Sequence, residues 1–186
     1  MNDKNPLREK LKIKRRYYSG YRRQMADIAV LENFLNAYGE NESFFIYNSF
    51  GTEADTKAII SALLAADKKV YLPRVDGNEL QAVPYSLNQK TLKGAFGIDE
   101  PTGQAYSGDI EITVIPLLAI NTRGFRVGYG KGFYDKYLNN AHTKKVGLGY
   151  SFQIEEFSED GWDVPMDAFV CEKGIYYYAT DKSTKG

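Results

Sequence analysis

The residues of this chain best suited to chemistry are concentrated in one glycine-rich segment, GFRVGYGKGFYD, at residues 124–135. It combines four glycines with Arg126, Lys131 and Asp135. Glycines let backbone N–H groups approach a polyanion, and the two cations supply countercharge. A carboxylate is a ligand that Mg²⁺ prefers, especially where phosphate oxygens complete its coordination. The residue types therefore indicate a site for phosphate and a metal ion.

The elements on either side of this segment are those that a phosphate site needs. Residues 112–120, ITVIPLLAI, are typical of a buried strand, and Phe133, Tyr134, Tyr137 and Leu138 recur at helical spacing. A strand, a glycine turn and a helix start place backbone N–H groups and the positive end of a helix dipole at one point. We therefore expect a helix to begin directly after the glycines.

Glycine content alone favours a simpler interpretation, a tight strand-to-helix connection in which glycines only relieve steric strain. The segment lacks the Gly-Lys-Ser/Thr ending of a Walker A loop. The spacing of Gly128, Gly130 and Gly132 also departs from the dinucleotide-binding fingerprint. The charged side chains favour an anion site, without deciding between the two interpretations.

The composition is that of a globular protein with one sizeable core. Its 186 residues are 43% apolar and 26% charged, with no net charge. No apolar run approaches the ~20 residues that cross a bilayer, so we expect no membrane partner. A single cysteine, Cys171, excludes an internal disulfide framework and suits a reducing cytoplasm. Zero net charge argues against nucleic acid as the main partner, although residues 1–23 carry nine Lys/Arg against two acids.

Helical and strand patterns alternate along the chain. Helices are predicted at residues 5–19, 21–37, 52–64 and from 133, and strands at residues 44–47, 70–73, 80–85, 112–120, 145–150, 167–170 and 174–179. The expected apolar faces of the first two helices comprise Leu7, Leu11 and Ile13, then Met25, Ile28, Leu31 and Leu35. Residues 93–108 are predicted to form a long loop. The alternation predicts an α/β fold, a three-layer α/β/α sandwich around a mostly parallel sheet. We expect one domain at residues 1–179 and a disordered tail at residues 180–186.

Several of these segments together resemble the 5-formyltetrahydrofolate cyclo-ligase family, whose members are also called methenyltetrahydrofolate synthetases. Residues 126–135 resemble the family's signature, roughly Arg-Leu-Gly-x-Gly-x-Gly-Tyr-Tyr-Asp. Other segments resemble further family motifs in the family's order, at residues 4–8, 53–56, 70–74, 97–101 and 163–167. The similarity extends from Lys4 to about Glu172, which is nearly the whole chain.

The resemblance implies a fold of the sugar-phosphate isomerase and CoA-transferase-like group. It also implies a ligase that uses ATP and Mg²⁺ to convert 5-formyltetrahydrofolate to 5,10-methenyltetrahydrofolate, releasing ADP and phosphate. Phosphorylation turns the formyl oxygen into a good leaving group, and a neighbouring folate nitrogen then closes the ring. Such an enzyme aligns substrates and stabilises charge more than it needs a protein nucleophile. We expect it to be monomeric and cytoplasmic, with small molecules as its partners.

The resemblance also implies a role for individual residues. Arg126 and Lys131 are the implied catalytic cations. The implied ATP-binding residues are Lys4, Asn5, Leu7, Arg8, Arg126, Val127, Gly128, Tyr129, Gly130, Lys131, Gly132, Phe133 and Tyr134. Folate is expected to contact Glu53, Tyr129, Phe133 and Phe96, and the metal to bind Asp135 and Asp163. Arg15, further along the N-terminal helix, is a weaker phosphate candidate.

Plainer interpretations accompany these roles. Glu53 could be a helix-start acid stabilised by the dipole, and Asp163 an ordinary surface acid. The aromatic residues could belong to the core. The chain also departs from the family pattern, with Asn121 where Asp is usual, Phe133 where Tyr is common and Cys171 at a frequent Thr position. None of these departures removes an implied phosphate or metal ligand.

Two other functions remain open from the residues. One is an enzyme of the same fold group that acts on a phosphorylated metabolite without ATP, for which Glu53 would be the base or nucleophile. The other is a nucleic-acid-binding module that uses the basic N-terminus. His142 and Cys171 have no partners that indicate metal or nucleophilic chemistry, and we interpret both as structural.

Overall fold

The computed structural model describes residues 3–94 and 96–179, so the tail predicted at residues 180–186 lies outside the described residues. Its helices are α1 Asn5–Tyr17, α2 Gly20–Tyr38, α3 Lys57–Ala65 and α4 Phe133–Asn140. Its strands are β1 Ser43–Ile46, β2 Lys69–Asp76, β3 Glu79–Tyr85, β4 Thr91–Lys93, β5 Asp99–Pro101, β6 Ile112–Pro116, β7 Ala119–Ile120, β8 Arg126–Val127, β9 Lys144–Leu148, β10 Ala168–Cys171 and β11 Gly174–Tyr177. None of the described helices is both long and apolar enough to span a membrane.

The main sheet confirms the predicted mostly parallel α/β architecture. Within the described residues it has seven strands in the order β11-β10-β9-β6-β1-β2-β3. The neighbours from β10 to β2 pair in parallel, whereas β3 and β11 are antiparallel edge strands. Edge strands need only one hydrogen-bonded neighbour, and this is consistent with Pro84 lying in β3.

The alternation of side chains in the central strands explains the three layers. Phe44 and Ile46 of β1 face one side of the sheet and pack with α2 and α3. Phe45 faces the other side, where its ring centroid lies 4.8 Å from that of Tyr137 on α4. All three β1 side chains are almost completely buried. Successive strand residues point to opposite faces, so each face acquires its own helical layer.

The buried face of α2 differs from the predicted one. The side chains that it buries are Ala26, Val30, Phe34 and Tyr38. Leu31 and Leu35 pack only partly, while Met25 and Ile28 on α2 and Ile13 on α1 are about half exposed. Two apolar stripes run along α2, and periodicity does not distinguish between them. The sheet takes the stripe with the aromatic rings, Phe34 and Tyr38, and the ring of Phe34 packs against Phe44.

The strand predicted at residues 112–120 is broken after Pro116. There the chain leaves the main sheet, and β7 pairs instead with β8 in a small hairpin. The buried side chain of Gln153 donates from Nε2 to the carbonyls of Leu117 (2.9 Å) and Leu118 (3.1 Å). These hydrogen bonds compensate for the interrupted sheet pairing.

Two other boundaries are corrected. Helix α3 begins at Lys57 and not at residue 52, so the predicted capping box does not form. Instead the Thr56 hydroxyl donates to the Tyr47 carbonyl (2.7 Å) and accepts from the Ser49 amide (2.9 Å), which ties residues 47–56 into a closed loop. The loop predicted at residues 93–108 is interrupted by β5, which pairs with β4.

The sheet brings two distant segments together. Ile46 at the end of β1 pairs with Val114 near the end of β6. Carboxyl ends of neighbouring parallel strands meet at one edge, and this is where open α/β sheets bind ligands. The loop at residues 47–56 and the glycine segment at residues 124–135 therefore meet at the same edge.

Candidate active site

A cavity of about 650 Å³ opens at this edge. Its size lies within the range of ~300–1,000 Å³ that is usual for small-molecule sites. Of the residues predicted for the site, those that line it are Lys4, Arg8, Arg15, Glu53, Phe96, Arg126, Val127, Gly128, Tyr129, Gly130, Lys131, Gly132, Phe133, Tyr134, Asp135 and Asp163. Asn5 and Leu7 do not line it. Asn5 accepts a hydrogen bond from Arg8 (2.8 Å), and Leu7 packs beside Leu11.

The glycine segment forms one wall of the cavity. Gly130 and Gly132 have φ angles of +93° and +70°, in the left-handed region that favours glycine. Gly132 is the N-cap of α4 and has no side chain to cap the helix. The first N–H groups of a helix lack intrahelical partners, so here they are available to an anion. The predicted glycine turn and helix start are confirmed.

The N-terminal helix α1 lies directly on the glycine segment. Arg8 donates from Nε to the Gly128 carbonyl at 3.0 Å. A methyl group placed on Gly130 would lie 3.5 Å from the Arg8 guanidinium carbon. This contact adds Arg8, from more than a hundred residues away in sequence, to the cations of the wall.

Two of the predicted ligands are carboxylates already held by buried cations. Arg126, 7% exposed, donates from Nη2 to Asp135 Oδ1 at 2.9 Å. Lys4, 9% exposed, donates to Asp163 and lies 3.1 Å from Asp160 Oδ2. Each carboxylate is thus fixed in orientation at the cavity wall, and neither is a solvated surface acid.

The donor set at the wall fits a metal ion only in company with phosphate. Within residues 3–94 and 96–179, no group of three or more His, Cys, Asp or Glu side chains could hold a metal. Mg²⁺, however, is usually bound by one or two carboxylates together with substrate phosphates and water. Asp135 on the cavity wall beside the glycine segment suits that arrangement, with Asp163 as a second carboxylate on the lining.

Glu53 lines the cavity and lies outside helix α3, whose first turn contains no acidic residue. It lies four residues before α3, in the loop at residues 47–56, so the interpretation of Glu53 as a dipole-stabilised acid of the helix start is wrong. Its Oε1 accepts from the Tyr129 hydroxyl at 2.6 Å, and its Oε2 accepts from the Phe50 amide at 2.9 Å. The carboxylate is therefore oriented, yet retains lone pairs for the N–H donors of a ligand.

The hydroxyl of Tyr129 joins the two sides of the cavity. Desolvation, together with the nearby Glu53 carboxylate, raises the pKa of Tyr129 well above its ordinary value. The phenol therefore stays protonated at neutral pH and donates to Glu53. Tyr134 is affected in the same way: burial first, then Glu53, raises its pKa.

An aromatic pair covers the cavity beside these groups. The rings of Phe96 and Phe133 meet edge to face, with centroids 6.2 Å apart. Phe96, which follows β4 in sequence, is 48% exposed, so an apolar ring surface is available at the mouth. Phe133 stands where tyrosine is common in the family, and its ring makes this contact. The absence of the tyrosine hydroxyl leaves no buried polar group without a partner there among the described residues.

Sequence reasoning missed the residues that hold the Glu53 loop. Arg23 of α2 donates from Nη2 to the Glu53 carbonyl (2.8 Å) and from Nε to the Tyr150 hydroxyl (3.1 Å). Asp27 accepts from that hydroxyl (2.7 Å) and from the Asp55 amide (3.1 Å). The four-residue spacing of Arg23 and Asp27 signals a helix-surface ion pair, but it does not reveal which loop the pair contacts.

Asn121 retains the interactions that its position requires. The side chain is fully buried, and Oδ1 accepts from the backbone amides of Arg123 (3.1 Å) and Phe125 (2.9 Å). Its Nδ2 donates to the Phe157 carbonyl at 3.2 Å, a contact that a carboxylate could not make. The exchange of aspartate for asparagine therefore leaves the turn before β8 intact.

Cys171 is a buried free thiol in β10. Burial raises its pKa to about 11, so it is protonated at neutral pH and a poor nucleophile. The geometry agrees with the structural interpretation of this residue.

The basic N-terminal helix is not a free cationic surface. Lys10 and Lys14 both donate to the carboxylate of Glu155, at 2.8 and 2.7 Å. These two contacts, led by that of Lys10, lower the pKa of Glu155. Lys12 pairs with Glu9 at 2.7 Å. Intramolecular pairing of this kind does not support a nucleic-acid-binding face.

Comparison with known proteins finds a family profile, relatives and a solved structure that match this chain over most of its length. The sequence profile of the 5-formyltetrahydrofolate cyclo-ligase family matches residues 1–172. The 5-formyltetrahydrofolate cyclo-ligase of Haemophilus influenzae is 30% identical over 173 residues, covering 86% of this chain and 92% of the relative. That of Mycoplasma genitalium is 42% identical over 76 residues, a match that spans 46% of the relative. The NMR structure of Aquifex aeolicus 5,10-methenyltetrahydrofolate synthetase superposes with a TM-score of 0.85 at 31% identity, covering 98% of this chain and 96% of that one.

Proposed function

This chain belongs to the 5-formyltetrahydrofolate cyclo-ligase family, and we propose that it converts 5-formyltetrahydrofolate to 5,10-methenyltetrahydrofolate at the expense of ATP. The observation that carries the proposal is the hydrogen bond between Tyr129 and Glu53, 2.6 Å long. It joins the glycine wall, suited to phosphate, to a carboxylate suited to the amino and N–H donors of a pterin. Two substrates can therefore be held in contact within one cavity.

The nucleotide half of the proposed site is the glycine wall. The backbone N–H groups at the start of α4 would bind phosphate oxygens, and Lys131 and Arg126 would supply countercharge. Lys131 is exposed on the lining and has no hydrogen bond or ion pair with any other described residue. Its ammonium is therefore available to a ligand, whereas Arg126 reaches the ligand as part of the pair with Asp135.

The folate half of the proposed site is formed by Glu53 and the aromatic cover. The carboxylate would accept hydrogen bonds from the pterin, and the rings of Phe96 and Phe133 would pack on its faces. Arg23 and the Phe50 amide hold the Glu53 loop in place before substrate arrives. Such preorganisation lowers the entropic cost of bringing the formyl oxygen to the nucleotide.

The reaction requires two bond exchanges. The formyl oxygen attacks the γ-phosphorus of ATP, the bond to the β–γ bridging oxygen breaks, and ADP leaves with that electron pair. Folate N10 then attacks the formyl carbon, the carbon–oxygen bond breaks, and the N10 proton departs with phosphate as HPO₄²⁻. The chain's part is to align the reacting oxygen and phosphorus and to stabilise the equatorial oxygens.

The residues that would hold a magnesium ion are Asp135 and Asp163. Bound Mg²⁺ would offset the negative charge of the phosphate oxygens. The role of the protein there is to present Asp135 with a fixed orientation, and the Arg126 guanidinium at 2.9 Å provides this. We also propose that the enzyme is cytoplasmic, which its single cysteine suits, and that it works as a monomer.

An Asp135→Asn variant is expected to raise the magnesium concentration for half-maximal activity by about tenfold or more, since an amide is a weaker ligand than a carboxylate. The measurement is a magnesium titration at fixed ATP and folate, with magnesium-dependent ATP binding as a second readout. Asp67→Asn is the matched control, because Asp67 is exposed and has a φ of 57°, which asparagine tolerates. An unchanged magnesium requirement in the Asp135 variant would exclude the ligand role.

The activity itself is tested by mixing the protein with 5-formyltetrahydrofolate, ATP and Mg²⁺ and following the ultraviolet band of the methenyl product. We expect one ADP released per methenyl group formed, and no product when ATP is omitted. Folded protein that forms no product above background would overturn the proposal. Product formed without ATP would favour a non-ATP enzyme of the same fold group.

A further inference from the structure

Three cations that line the cavity are nearly buried, and only two of them are neutralised locally. Lys4 and Arg126 each contact a carboxylate, as described above. Arg15 is 5% exposed, yet across residues 3–94 and 96–179 it has no carboxylate within 4.0 Å. Its contacts are with neutral oxygens: Thr52 Oγ1 (3.1 Å), the Leu117 carbonyl (3.4 Å) and the Tyr129 hydroxyl (2.9 Å).

A buried arginine without a carboxylate partner lowers the stability of the protein when no ligand is bound. A guanidinium cannot give up its proton at physiological pH, and burial removes much of its hydration. The only negative group in the immediate network is Glu53, which Arg15 reaches through the Tyr129 hydroxyl and not directly. Buried charges are normally paired or bound to a ligand, so the missing partner is expected to be an anion that enters the cavity.

The position of Arg15 indicates which anion this is. Its guanidinium contacts Tyr129, a residue of the glycine wall, with its carbon 5.7 Å from the ring centroid. It also contacts Thr52, the neighbour in sequence of Glu53. Arg15 is thus located where the proposed nucleotide half meets the proposed folate half. The group that must cross between these halves is the phosphoryl group in transfer.

We propose that Arg15 binds the γ-phosphoryl group of ATP and follows it as it moves to the formyl oxygen. This inference rests on the proposed function, because that function places ATP in the cavity. As the bond to the β–γ bridging oxygen breaks and the bond to the formyl oxygen forms, charge is spread over three equatorial oxygens of the phosphoryl group. A planar guanidinium with several donors is suited to bind two of those oxygens at once.

The test compares ATP and ADP, which differ only in the γ-phosphoryl group, by calorimetric titration in the presence of Mg²⁺ without folate. For the unaltered enzyme we expect tighter binding of ATP. In Arg15→Gln, which keeps a donor for Tyr129 but removes the charge, ATP affinity should fall about tenfold or more, and ADP affinity should change less than twofold. Turnover should fall about 100-fold or more, as for loss of a preorganised charge donor.

Two further variants separate ligand binding from structure. Arg15→Lys restores the charge, so it should recover part of the preference for ATP over ADP. Arg22→Gln is the matched control, because Arg22 is exposed and outside the cavity lining. Equal loss of ATP and ADP affinity in Arg15→Gln, or no rescue by lysine, would overturn the proposal in favour of a purely structural role.

The result of the Arg15 binding test can be separated from the result of the activity test of the proposed function. Binding is measured without the folate, so it does not depend on turnover. An enzyme that distinguishes ATP from ADP through Arg15 but forms no methenyl product would refute the proposed reaction and retain the γ-phosphoryl contact. Turnover with equal affinities for ATP and ADP would refute the Arg15 proposal alone.

Discussion

Replacing Lys131 with alanine is expected to lower kcat/KM for ATP by about 100- to 1,000-fold, the range found when one preorganised charge donor is removed from a reacting group. The effect should be large because the ammonium lies on the cavity lining with no other described residue to neutralise it. Folding should be unaffected, since the side chain is exposed and its removal leaves no cavity. The measurement is steady-state kinetics over ATP at saturating folate, with thermal unfolding as a check.

Lys173→Ala provides the control for this variant. Lys173 is exposed in the turn between β10 and β11. Its replacement by alanine removes the same charge and the same methylene groups at a position away from the cavity. It should leave both kinetic constants within a factor of about two. If Lys131→Ala matched Lys173→Ala in turnover and ATP affinity, Lys131 would have no part in nucleotide handling.

The second large effect is expected from Glu53→Gln, which should raise KM for 5-formyltetrahydrofolate by about 10- to 100-fold and leave ATP affinity unchanged. Hydrogen bonds to a charged group contribute about 1.5–3 kcal/mol, and each 1.4 kcal/mol corresponds to a factor of ten. The single carbonyl oxygen of glutamine can still accept from the Phe50 amide, its Nε2 can donate to the Tyr129 oxygen, and Arg23 still holds the carbonyl of residue 53, so the loop should keep its shape. Direct titration with folate and with ATP separates the two affinities.

Glu32→Gln is the corresponding control, because Glu32 is exposed on α2 and outside the cavity lining. Its folate affinity should equal that of the unaltered enzyme. A Glu53→Gln enzyme with normal folate affinity and weakened ATP binding would reverse the assignment of the two halves. An enzyme weakened for both would indicate that Glu53 supports the Tyr129 bridge and does not contact the pterin.

The parts of the site that are local in sequence could be predicted from residue types, whereas its distant members were predicted only through the family resemblance. The glycine turn at Gly130 and Gly132 follows from composition, because few other residues adopt those φ angles. By contrast, Lys4 and Asp163 are 159 residues apart, and Tyr129 and Glu53 are 76 apart. The parallel alignment of β1 and β6 brings the segments of Glu53 and Tyr129 to one edge, and no local pattern encodes either pair.

The predictions of the fold that were wrong have similar causes. Residues 112–120 are apolar except for Thr113. Nothing in that pattern shows that the chain leaves the sheet after Pro116 or that Gln153 binds the carbonyls there. The two apolar stripes of α2 cannot be distinguished in the sequence, and only the packing of Phe34 against the sheet shows which of them is buried. Arg15 was underrated for the opposite reason. In sequence it is one cation in a basic stretch, and its burial without a carboxylate partner is visible only after folding.

Transfer of the γ-phosphoryl group to the formyl oxygen can be followed by an isotope experiment. The enzyme is supplied with ATP, Mg²⁺ and 5-formyltetrahydrofolate labelled with ¹⁸O in the formyl group, and the released phosphate is analysed by mass spectrometry. We expect one ¹⁸O atom in each phosphate released, with unlabelled ADP. Methenyl product accompanied by unlabelled phosphate would contradict this transfer, because the formyl oxygen would then have left without being phosphorylated.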